Sequence, residues 1–286
     1  MSTLYVVGDS FSAIEVDNEG IDRIWPALVK EKLGIEKMIN NSMIGASQDY
    51  AWFSLLDWRD HIKPDDYLII TLTHPSRQWF VHDDPTLGKA EHIREKAHVN
   101  GYDPLLDKAA EAAANYIEFI QRPELDILHL ENRLGWLAYQ SRLLGWRKPL
   151  VLLGFKQKAP FAYSYPDLSF SNGDMSDDIS HPEYKINVTP KDYNNFMLGE
   201  DPRFNHMCLS NHEILADKIA ESFKNNTELD LTDGSFKQEI LNRETVDDPE
   251  FINRELCLRR TARRKAVAPE HRKAFFMRGW SMSKQS

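Results

Sequence analysis

The hydrophobic pattern opens with a short apolar run, Leu4-Tyr5-Val6-Val7, that stops abruptly in Gly8-Asp9-Ser10. A β-branched run followed by a small polar turn is how an α/β protein ends its first strand and presents side chains above the sheet edge. Residues 21–33 then place Ile24, Leu28 and Val29 at helical spacing and stop at Gly34, which predicts the first crossover helix. A second strand is expected over 38–44, running into a small-residue stretch from Asn40 to Ser47. Residues 49–62 follow as an amphipathic helix with Trp, Phe and Leu on one face, broken by Pro64. Residues 67–72 form a continuous apolar run of the kind a central parallel strand shows, and it too ends in polar residues, Thr73-His74-Pro75-Ser76-Arg77. Successive strand–loop–helix units of this kind predict a doubly wound or flavodoxin-like sheet with its ligands at the carboxyl ends of the strands.

Beyond residue 80 the period weakens, and 80–104 reads as an excursion over the site, a lid. Helices are expected over the Ala-rich 105–121 and over 124–146, then a fourth buried strand over 149–155. Residues 156–200 gather Pro, Asn, Asp and Tyr without a period, which suits a substrate-shaping insertion. Residues 210–223 have the pattern of an amphipathic helix, with Ser210 as N-cap and Glu213 three residues on. The expected organisation is an α/β body over 1–226 with insertions near 80–104 and 156–200. A basic α-helical extension over 227–286 follows it, starting with a linker at 227–234 and carrying helices at 235–244 and 249–265.

Charge sharpens that division. The net charge is −9, yet 251–286 carries ten Lys and Arg against Glu255 and Glu270, a surplus of 8 that leaves −17 on residues 1–250. The acidic body argues against nucleic acid as the main substrate, and the basic tail suits an acidic partner, a phosphate backbone or its own body, the last being favoured because opposite charges in one chain attract at no association cost. Cys208 and Cys257, far apart in sequence, fit a reduced compartment. With no membrane-length apolar run and no signal-peptide pattern at the N-terminus, a cytoplasmic location is expected.

The candidate chemistry has bland competitors. Gly-Asp-Ser is also a common helix-capping turn, and Gly45 also suits a tight turn that needs no ligand. His212-Glu213 lacks a second His four residues after the first, where Ala216 stands, so no zinc helix is read there. His74, His82, His92 and His98 show no repeating spacing, and Trp52, Trp58, Trp136 and Trp146 fall on apolar helix faces as core. No phosphate-binding Gly-rich loop follows any strand. Neither a metal nor a cofactor is expected.

Taken together, Gly8-Asp9-Ser10-Phe11-Ser12, Trp25-Pro26-Ala27-Leu28-Val29, the stretch from Asn41 to Gly45, and the run from His206 through Ser210 and His212 to Ala216 resemble the SGNH (GDSL-like) hydrolase superfamily over roughly residues 1–225. That resemblance implies a flavodoxin-like three-layer sandwich and a Ser-His-Asp triad in which Ser10 is the nucleophile, His206 the general base and Asp201 the residue that orients it. It also implies an oxyanion hole from the N–H groups of Ser10 and Gly45 and a donor after the third strand, for which Thr73 is the candidate. Asp9, His74, Ser76 and Arg77 are candidate substrate contacts. Two positions depart from the family pattern. Arg203 stands three residues before His206 where the family has its Asp, and no Asn follows the third strand.

The implied activity is cleavage of a small ester, such as an O-acetyl group on a carbohydrate. The departures and the tail support a different expectation, a weak or inactive SGNH-fold component of a larger assembly that contacts a partner through 251–286. They are similar to departures in virus-encoded SGNH-like proteins, for which the location would be the virion.

Overall fold

In a computed structural model, the structure describes residues 2–9, 11–13, 24–43, 46–75, 111–112, 114–154, 165–175, 207 and 209–236. The strands are β1 (Thr3–Val7), β2 (Lys37–Asn40), β3 (Tyr67–Leu72), β4 (Leu150–Leu153), β5 (Ser169–Asp174) and β6 (Leu229–Asp230). The α-helices are α1 (Trp25–Lys32), α2 (Gln48–Trp58), α3 (Pro123–Leu144) and α4 (Leu209–Asn225), and a short π-helix spans Tyr116–Ile120. Among the described residues the strands form one six-stranded sheet in the order β2-β1-β3-β4-β5-β6, and every pairing is parallel. The chain is therefore an α/β protein. Strand order reverses between β1 and β3, the kind of position at whose carboxyl ends open α/β sheets bind their ligands.

Side-chain alternation along the strands divides the core in two, because successive residues face opposite sides of a sheet. Tyr5, Val7, Leu68, Ile70, Leu72, Val151 and Leu153 point to one side, where Ala51, Trp52 and Leu55 of α2 and Leu130, Leu134 and Leu137 of α3 cover them. Leu4, Val6, Ile69, Leu150 and Leu152 point to the other and pack on Trp25 and Val29 of α1 and on Leu215, Ala216 and Ile219 of α4. Leu130, Leu134, Leu137 and Ser141 recur at helical spacing on the buried face of α3. That helix ends at Gly145, whose φ of 64° is the left-handed C-cap that glycine adopts without strain.

The third strand occupies the predicted residues, while the second is shorter than expected. It ends at Asn40, whose side chain ties together the loops after β1 and β2: its Nδ2 donates to the Ser12 carbonyl at 2.7 Å and its Oδ1 accepts from Ser42 N–H at 2.9 Å. Within 156–200, expected as a substrate-shaping insertion with short local structure, Ser169–Asp174 is a strand of the main sheet; its Ser, Asn and Gly content hid it, with Phe170 the one large apolar residue. Residues 227–234, expected as a linker, supply β6 instead, and Leu229, Leu231 and Phe236 are buried in the core. Helix α4 starts at Leu209, so Ser210 stands inside its first turn rather than at the N-cap. In the helix expected over 105–121, the last turn, Tyr116–Ile120, is π-helical. The expected lid at 80–104 and the expected helices beyond Phe236 lie outside the described residues.

Two glycines set the spacing of the strand ends. A Cβ on Gly154, just past β4, would lie 2.3 Å from the Leu72 carbonyl oxygen, and Gly154 N–H donates to that oxygen at 2.8 Å. Backbone is hard to move, so Gly154→Ala is expected to lower stability by about 1–3 kcal/mol. The check is urea unfolding, in which the midpoint falls while the slope stays the same.

Candidate active site

The polar loops after β1, β2 and β3 meet at the carboxyl edge of the sheet. At the end of β1, Gly8 approaches β3 so closely that a Cβ would lie 2.6 Å from Thr71 Cβ and 2.8 Å from Ser12 Oγ. Only glycine fits there. The turn then closes on Asp9, whose carbonyl accepts Ser12 N–H at 3.1 Å and Ala13 N–H at 3.0 Å, while its Oδ1 accepts Phe11 N–H at 3.1 Å. Asp9 is only 2% exposed, and its side chain braces this turn from within. The turn is tied to the α1 layer through Trp25, whose indole Nε1 donates to the Phe11 carbonyl at 2.7 Å.

After β2 the chain keeps following β1. Asn41 N–H donates to the Val6 carbonyl at 3.0 Å and Met43 N–H to the Gly8 carbonyl at 3.1 Å. Asn41 also reaches toward α2: its Nδ2 donates to Ser54 Oγ at 2.7 Å, and its Oδ1 accepts from the Tyr50 hydroxyl at 3.0 Å. Ser54 Oγ passes the chain on to the Tyr50 carbonyl at 3.1 Å. Burial pushes the Tyr50 phenol up to about 12, since its charged form has no water to solvate it.

Helix α2 begins at this edge. Ser47 is its N-cap, accepting Tyr50 N–H at 3.4 Å, and Asp49 of the first turn is ion-paired with Arg133 of α3. Gln48 turns toward β3, and its Nε2 donates to the Thr73 carbonyl at 2.7 Å. Its Oε1 is a buried acceptor without a partner, as are the hydroxyls of Ser42 and Thr71. An unpaired buried polar group of this kind costs about 1–3 kcal/mol.

Of the residues singled out from sequence, Asp9, Thr73 and His74 are described. All three lie at the carboxyl ends of β1 and β3; Thr73 is buried and His74 exposed. Ser10, Gly45, Ser76, Arg77, Asp201 and His206 lie outside the described residues, though Asp9 and Phe11 bracket Ser10 in the chain. His212 caps and packs. It is 7% exposed, and its Nδ1 accepts the Trp25 N–H at 3.2 Å, the first amide of α1, which the Ile24 side chain cannot cap. Among the described residues no group of three or more His, Cys, Asp or Glu is placed to hold a metal ion. Nor, among them, is any helix long and apolar enough to cross a membrane.

Asn40 and Asn41 stand at the strand end where the small-residue loop is expected, whereas nothing in the sequence reading points to Gln48 or Tyr50 as edge residues. Ser47 followed by a polar residue ahead of an apolar helix was the available signal for Gln48, and the Asn40-Asn41 pair at a strand end was that for the loop.

Comparison with protein-family models gives no match, and comparison with curated proteins gives none either.

The Tyr50 shift has a pH signature. Above pH 10 an unfolded tyrosine loses its proton while Tyr50 keeps its own until about 12, so the unfolded state gains and stability falls across that window. Tyr5 and Tyr165 are shifted upward as well, first by burial and then by Asp66 and Glu131 respectively, so the contrast with a single variant isolates Tyr50. Tyr50→Phe is expected to lose about 1 kcal/mol near neutrality with the hydrogen bond to Asn41. Between pH 10 and 12 its stability should fall less steeply than that of the natural chain, by about 1.4 kcal/mol per pH unit. Denaturant unfolding at a series of pH values measures both.

Proposed function

We propose that the chain is a serine hydrolase of SGNH type, with a flavodoxin-like body, that cleaves a small ester such as an O-acetyl group on a carbohydrate. The observation that carries this reading is the Gly8-Asp9 turn at the carboxyl end of β1, beside the reversal of strand order, where contact with Thr71 leaves no room for a side chain at residue 8. It supports Ser10, the next residue, as the group presented to a ligand. The loop after β2, hydrogen-bonded along β1 to Gly8, leads on to Gly45, and the exit of β3 carries Thr73.

In this reading Ser10 Oγ attacks the ester carbonyl while His206 takes its proton, with Asp201 orienting the imidazole. The N–H groups of Ser10 and Gly45, with Thr73, receive the oxyanion. The imidazolium returns its proton to the departing alcohol, leaving an acyl-serine. Water then attacks that ester, gives its proton to His206, and releases the acid as Ser10 is restored. In the same reading His74, Ser76 and Arg77 are the candidate substrate contacts. The basic segment 251–286 serves an acidic partner or the acidic body.

Expected outcomes are hydrolysis of a short-chain aryl ester, labelling of Ser10 by a fluorophosphonate, and loss of about 10⁴-fold or more in kcat in Ser10→Ala. Equal turnover in the variant sinks the reading. Absence of both turnover and labelling in the natural chain is the result expected of a non-catalytic assembly component.

A further inference from the structure

This inference deepens the hydrolase reading and rests on it, and it concerns a residue that the reading leaves without a role. Gln48 is the first residue of α2 and is 2% exposed. Its Nε2 crosses to β3 and donates to the Thr73 carbonyl at 2.7 Å, while its Oε1 is buried without a partner. An aliphatic side chain of similar length would fill the same space without burying an unpaired amide oxygen. What the amide supplies and a methylene cannot is direction. The peptide unit is planar and trans, so fixing the Thr73 carbonyl fixes the plane that joins Thr73 to His74, and with it the course of the chain leaving β3.

Gln48 is itself firmly based. Ser47 beside it caps α2, and Asp49 on its other side is ion-paired to Arg133 of α3, so the arm that reaches Thr73 is anchored in two helices. We infer that Gln48 is a positioning residue, which holds the exit of β3 and its Thr73 in register with the turn after β1, where the oxyanion of the ester intermediate forms. It touches no reacting atom. Its loss therefore weakens an interaction made in the transition state more than substrate binding, and kcat falls while KM is little changed.

The test uses the full chain with Gln48→Leu, which deletes the donor, and Gln48→Glu, which keeps the shape but turns the donor into a second acceptor facing the Thr73 carbonyl. Misplacement of a catalytic element by 1 Å costs about 10²-fold, so kcat on a short-chain aryl ester is expected to fall about 10- to 100-fold, with KM within about threefold. Hydrogen exchange at the Thr73 and His74 amides is expected to quicken at least about tenfold, with no matching change at Leu134 and Leu137 in the core of α3. In Gln48→Glu the protection should return as the carboxyl protonates in acid, because a neutral carboxyl again donates to Thr73. Unchanged kcat in both variants, a rise in KM alone, or exchange that quickens equally throughout the core overturns the inference. If the natural chain shows no Ser10-dependent turnover, the hydrolase reading falls by itself. The exchange measurement then decides separately: local loss at Thr73 and His74 keeps Gln48 as the holder of the β3 exit, and unchanged exchange removes it.

Discussion

The edge of this sheet depends on a side chain that is missing. Residue 8 sits where any Cβ would press on Thr71, so the first strand can run against the third to its last residue only if it ends in glycine. From that contact the local geometry follows in order. The chain leaves β1 directly above β3, the following turn folds back on Asp9, and the loop from β2 hydrogen-bonds along the same strand as far as Gly8. Two loops distant in sequence, those after β1 and β2, are brought side by side by backbone bonds, and the exit of β3 is held beside them by the side chain of Gln48.

The two helical layers are fastened to this edge by a few buried polar contacts. On one side Trp25 holds the Phe11 carbonyl with its indole, and its own amide is held by His212, 187 residues away. Helix α1 thereby obtains from α4 the cap that its own sequence lacks. On the other side Asn41 joins Ser54 and the Tyr50 hydroxyl, and Gln48 crosses to Thr73. Each such bond contributes on the order of 1 kcal/mol, little beside the two apolar cores, but each has a direction that apolar packing cannot impose. The cores make the fold stable, and these contacts align its edge.

How much of this could be read in advance followed from how each element is stabilised. The apolar runs of β1, β3 and β4 and the spacing of α3 were legible because burial on both faces of a parallel strand, or on one face of a helix, leaves a regular pattern. β5 and β6 were not. Ser169–Asp174 is mostly polar and Leu229–Asp230 only two residues long, and both are held by their neighbours' ladders, so tertiary pairing overrides weak local preference. At the site, Asp9 and Thr73 announced themselves as small polar residues ending apolar runs. Gln48 did not, since a glutamine at the start of a helix is ordinary and its partner Thr73 is 25 residues away. His212 was separable from a metal-binding histidine by spacing alone, whereas its bond to Trp25 needed the packing of α1 against α4.

The two-residue strand β6 has a further consequence, for how copies of the chain meet one another. A parallel sheet that ended in a long apolar strand would offer open N–H and C=O groups to any neighbouring chain and invite growth by strand addition. Among the described residues the outermost strand on this side is only Leu229–Asp230, followed by turns at Thr232 and Ser235. Asp233 is held to about 2, foremost by the hydrogen bond from Lys218 Nζ, so its negative charge persists well into acid. A two-residue strand bordered by an ion pair is a poor template for another chain, so among the described residues this side of the sheet offers little to intermolecular β-pairing.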